Sequence, residues 1–101
     1  MEAYILVNIE ASSESWQIIE AVVKIEGVKT ANVVTGQFDA VVLVQFSELD
    51  RLGKIVEQIH SVKGVLRTQT LISVPSPVRA GSVMPGLAEE EKTGSDTYSD
   101  R

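Results

Sequence analysis

The sequence predicts an α+β domain in which a β-α-β-β-α-β chain forms a four-stranded antiparallel sheet with two helices on one face. Three observations carry that expectation. The chain matches itself when slid by 37 positions, each matched half reads strand, helix, strand, and the most apolar strand-like run opens each half. Three separate segments agree on the offset without a gap. Ala3 to Ile9 falls on Ala40 to Phe46, Ile18 and Val22 fall on Ile55 and Ile59, and Gly27-Val28 falls on Gly64-Val65.

Tyr4 to Ile9 and Ala40 to Phe46 are short β-branched runs of strand length. A polar break follows each: Ser12-Ser13-Glu14-Ser15 in the first half and Ser47-Glu48-Leu49-Asp50 in the second. Serine suits a helix start because its oxygen accepts from unpaired N–H groups, and Ser47 to Asp50 has capping-box spacing. The first helix is expected to bury a stripe of Ile18, Ile19, Val22, Val23 and Ile25; the second, Leu52, Ile55, Val56 and Ile59. Gly27 and Gly64 stand just beyond, where a left-handed C-cap favours glycine. Final strands are expected over Val28 to Val34 and Val65 to Val74. Right-handed crossovers turn this order into a ferredoxin-like sheet whose first and third strands are central.

Alternation assigns Ile5, Val7, Ile9, Val42, Val44 and Phe46 to the helix side. The opposite face then carries Tyr4, Leu6 and Asn8 with Val41, Leu43 and Gln45. A solvated sheet face would alternate to polar residues. This one stays apolar before ending in amides, which points to self-association through the open sheet. After Pro75-Ser76-Pro77 the pattern changes to scattered Gly and Pro with a Glu89-Glu90-Glu91 run, so residues 1–75 are read as the domain and 76–101 as a disordered acidic tail.

Composition narrows the function. The net charge of −5 and scattered Lys and Arg argue against direct nucleic-acid binding by this chain alone. With no cysteine, disulfides and thiolate chemistry are excluded, which suits a cytoplasmic setting. No apolar run approaches the ~20 residues of a membrane helix. No metal or cofactor motif occurs, and no catalytic set is evident. His60 is the one histidine and reads as an exposed helix-end residue. Trp16 reads as a partly buried packing residue. Glu48 and Asp50 read as helix-start acids.

The connection Thr35-Gly36-Gln37-Phe38-Asp39-Ala40 has two readings. In one, Gly36 supplies a positive φ and Asp39 caps a hairpin turn. In the other, Gly36 admits a ligand to the backbone and Asp39 receives an ammonium group.

The run Gly27-Val28 to Val34-Thr35-Gly36-Gln37-Phe38-Asp39, followed by Gly64-Val65 with Thr68 and Thr70, resembles the effector-binding (RAM) domain of the Lrp/AsnC, or feast/famine, transcriptional regulators over about residues 2–75. The hairpin element is the specific part; Gly-Val pairs alone are common. The resemblance implies a non-catalytic, amino-acid-binding regulatory domain that dimerises through its sheets and assembles into rings of dimers. It implies that Gly36, Phe38 and Asp39 form the hairpin side of the ligand site, with Thr68 and Thr70 as further ligand residues. Asp39 would meet the ammonium group, and hairpin N–H groups with threonine hydroxyls the carboxylate. The family's helix-turn-helix has no counterpart here, so a stand-alone domain is expected, acting by itself or co-assembling with full-length relatives. An ACT-like module shares the element order, but its ligand loop follows the first strand. A small dimeric α+β-barrel enzyme, and an assembly subunit without a ligand, are the remaining alternatives.

Overall fold

The computed structural model describes residues 1–75. The elements run β1 (Glu2–Ile9), α1 (Ser15–Val22), β2 (Val28–Val33), β3 (Ala40–Gln45), α2 (Leu49–His60) and β4 (Val65–Ile72). They form the expected antiparallel sheet in the order β2-β3-β1-β4, with β1 and β3 central. This is the ferredoxin-like α+β arrangement. The expected tail, 76–101, lies outside the described residues.

The offset of 37 reappears as three-dimensional equivalence. Ala3, Ile5, Val7 and Ile9 of β1 are buried, and so are Ala40, Val42, Val44 and Phe46 at the matching positions. Ile18 and Val22 of α1 have buried counterparts in Ile55 and Ile59 of α2, and all of these join one core cluster. Fully burying an aliphatic side chain contributes about 1.5–3 kcal/mol, so this repeated stripe is the main source of stability. Both helices cover the same sheet face, α1 over the β2 side and α2 over the β4 side.

Several local expectations are corrected. The α1 helix stops at Val22, and Lys24 and Ile25 donate to the carbonyls three residues back, Ala21 and Val22. The second helix ends the same way, with Ser61 and Val62 donating to Gln58 and Ile59, so the tightened exit belongs to the repeat. Ile25 still packs on the core from outside the helix, whereas Val23 is 45% exposed and leaves the stripe. The serines do not cap. The N-caps are Glu14 and Glu48, both in extended conformation and neither making a side-chain cap bond, so the Ser47–Asp50 capping box does not form. Trp16 is 66% exposed rather than packed.

Gly27 (φ 101°) and Gly64 (φ 103°) do adopt the left-handed region, but in β-turns, not helix caps. The N–H of Val28 donates to Ile25 O, and that of Val65 to Val62 O, so each glycine is the third residue of its turn. No non-glycine residue among those described has positive φ, which makes both turns type II.

The face away from the helices is as the alternation predicts. Tyr4 is 43% exposed and Leu6, Val41 and Leu43 are half-buried. Register adds Leu71 opposite Tyr4, Gln69 opposite Leu6 and Arg67 opposite Asn8. An apolar centre thus grades into amides and a guanidinium toward the β2–β3 hairpin. Among the described residues no helix is long and apolar enough to cross a membrane.

Candidate functional site: the β2–β3 hairpin and the cleft beside it

The hairpin is longer than a two-residue turn. Val34 N–H donates to Asp39 O at 2.9 Å and closes a loop of Thr35, Gly36, Gln37 and Phe38. Gly36 has φ 127°, and a Cβ built there would meet nothing within 4 Å. Its glycine requirement is therefore conformational, not steric.

Three hydrogen bonds press this hairpin against the end of β1. Asp39 N–H donates to Val7 O at 2.8 Å, Ile9 N–H donates to Asp39 Oδ2 at 2.7 Å, and Asn8 Nδ2 donates to Gln37 O at 2.9 Å. They fall where pairing of β1 with β3 has ended at Val7–Ala40 and the β1–β4 register shifts between Asn8 and Ile9. At that irregularity the Asp39 carboxylate serves the Ile9 N–H as a main-chain acceptor would. One carboxylate oxygen is thereby committed to the fold.

Beside the latched hairpin lies an open cleft lined by Asn8, Gln37, Phe38, Arg67, Thr68 and Gln69. Its chemistry is mixed: a half-buried aromatic ring, amides that donate and accept, and a guanidinium suited to a carboxylate. No cluster of three or more potential metal-ligating His, Asp or Glu side chains occurs among the described residues.

The sequence candidates divide between this cleft and its surroundings. Phe38 and Thr68 line it; Gly36 and Asp39 belong to the same hairpin but are not among the lining residues, and neither is Thr70. Thr68 and Thr70 stand opposite Val7 and Ile5, so their side chains take the helix side of β4. The Thr68 hydroxyl lies 2.8 Å from His60 Nε2 and ties β4 to the last residue of α2. His60 is exposed there, as its helix-end position implies. Asn8, Gln37, Arg67 and Gln69 were not among the candidates. Asn8 and Gln69 carried a faint signal as amides at strand positions; Arg67 carried none.

Comparison with known proteins identifies the family and the fold. The Lrp/AsnC ligand binding domain family matches residues 2–83. An uncharacterised HTH-type transcriptional regulator of Pyrococcus furiosus is 32% identical over 74 residues, 70% of this chain and 49% of that protein. The chain thus spans about half the length of the curated relatives it matches. The structure of TTHA0845 from Thermus thermophilus superposes with a TM-score of 0.71 at 30% identity, covering 77% of this chain and 98% of that one. A transcriptional regulator from Neisseria meningitidis, NMB0573, solved as a complex with L-methionine, shares the fold at a TM-score of 0.67. It is 19% identical, and the match covers 85% of this chain and 58% of that one.

Proposed function

The chain belongs to the Lrp/AsnC ligand-binding domain family, and from that premise we propose that it is a non-catalytic regulatory domain whose effector is an amino acid held in the cleft beside the β2–β3 hairpin. The observation that carries the site is the latched hairpin, which holds Gln37 and Phe38 against a cleft also lined by Asn8, Arg67 and Gln69. Arg67 supplies a planar fork for the effector carboxylate. Asp39, with one oxygen bonded to Ile9, offers the other to the ammonium group; Gly36 leaves the hairpin backbone open to approach. Phe38 provides the apolar contact. Thr68 and Thr70 act through β4, which carries Arg67 and Gln69 between and beside them. The L-methionine complex of the Neisseria regulator supports an amino acid as the ligand class.

The working unit in this reading is a homo-oligomer. Tyr4, Leu6, Val41, Leu43 and Leu71 form an apolar patch on one sheet face, suited to an isologous dimer. Rings of dimers, and co-assembly with full-length HTH-type relatives in the cytoplasm, extend the same reading. Calorimetric titration with a panel of L-amino acids, methionine included, tests the site. Saturable binding of at least one, weakened by Arg67→Gln, supports it; no binding by any member refutes it.

A further inference from the structure

Each helix shares a groove with the glycine turn that follows the other helix. In the first groove α1 meets the turn before β4: a Cβ at Gly64 would come within 2.7 Å of Ile18 Cδ1. In the second, α2 meets the turn before β2: a Cβ at Gly27 would come within 2.6 Å of Ile55 Cδ1. Ile18 and Ile55 correspond at the offset of 37, as do the two glycines, so the grooves are one cradle built twice.

The side chains that line the two cradles differ in charge. Glu14, Gln17 and Ala21 in the first groove correspond to Arg51, Lys54 and Gln58 in the second. The turn residues Lys63 and Glu26 exchange the opposite way. The first groove therefore holds one acid and one cation, the second two cations and one acid. That excess stands out in a chain with 9 Lys and Arg against 14 Asp and Glu. Arg51 and Lys54 are three residues apart in α2 and so share a helix face. Among the described residues, neither side chain donates a hydrogen bond within the chain. Gln45, Ser47 and Gln58 add neutral donors around them, and buried Phe46 and Ile55 form an apolar floor. This groove lies at the C-terminal end of β3, whereas the hairpin precedes the start of β3, so the two sites occupy opposite ends of the sheet.

We propose that the second groove is a separate binding site for a small oxyanion, the carboxylate or phosphate group of a metabolite. Arg51 supplies bidentate hydrogen bonds and Lys54 a point charge; Ser47 and the two glutamines complete the shell. The site is independent of the effector cleft and of the family assignment. The repeat keeps the apolar contacts of the cradle and differs at the residues that a ligand would meet.

Titration of the full chain at constant ionic strength, read from amide chemical shifts, tests this with inorganic phosphate in one arm and succinate in the other. The expected result is saturable movement of Ser47, Arg51 and Lys54 in at least one arm, and the responding arm identifies the class. Arg51→Gln and Lys54→Gln should each weaken binding about tenfold while leaving thermal unfolding unchanged. Placing the cations in the first groove (Glu14→Arg with Gln17→Lys) should create a second responding site there. Non-saturating shifts in both arms, equal shifts with sodium chloride, or unchanged affinity in Arg51→Gln would overturn the proposal.

Discussion

Asp39 Oδ2 accepts the Ile9 N–H at 2.7 Å, joining residues 30 positions apart at the point where the sheet becomes irregular. This bond makes Asp39 part of the fold whatever ligand the cleft holds. It also links the sequence's two readings of the hairpin, since a carboxylate has two oxygens and the turn uses one.

Substitution at Asp39 separates the two roles. Asp39→Ala removes the acceptor and should cost about 1–3 kcal/mol in urea unfolding. Asp39→Asn keeps an acceptor oxygen and should cost less than half as much. Both lose the negative charge, so both should lose effector affinity. Full affinity in Asp39→Asn would remove Asp39 from the site.

The glycines should rank by their surroundings. Gly27→Ala and Gly64→Ala combine a positive φ with contacts of 2.6 Å to neighbouring side chains. Each is expected to lose about 1–3 kcal/mol. At Gly36 the open space leaves only the backbone term, roughly 1 kcal/mol. Chemical denaturation of the three variants gives the order directly.

Much of this architecture was legible because burial imposes a period. Ile5, Val7 and Ile9 alternate on a strand, and Leu52, Ile55 and Ile59 recur at helical spacing, so the repeat and the sheet order could be read. Helix ends were less legible. Serine is favoured at N-caps by local chemistry, yet here Glu14 and Glu48 take those positions and the capping bonds are not made. Trp16 lies on the outer side of a helix of only eight residues, where size gives no clue to burial. The hairpin was visible as a motif, but the cleft was not. Asn8, Gln37 and Arg67 are far apart in sequence and meet only through the pairing of β1 with β4 and the fold of the hairpin onto β1.

Core and surface should respond differently to truncation. Ile5 and Ile59 are fully buried, so Ile5→Ala and Ile59→Ala should each lose about 2–5 kcal/mol. Trp16→Ala, at an exposed site, should stay within about 0.5 kcal/mol of the parent. Thermal unfolding followed by circular dichroism distinguishes them.

The open sheet face gives a separate prediction. Leu43→Lys introduces a charge at the centre of the apolar patch without touching the buried side of β3. Light scattering should show the parent as a dimer or larger and the variant as a folded monomer. An unchanged mass would move the interface elsewhere.

The most direct test of the central claim is backbone amide mapping of the full chain during titration with its tightest-binding amino acid. Saturable shifts are expected to centre on Asn8, Gln37, Phe38 and Arg67, which line the cleft. Saturable binding that leaves the hairpin unmoved, or no binding by any amino acid, would contradict it.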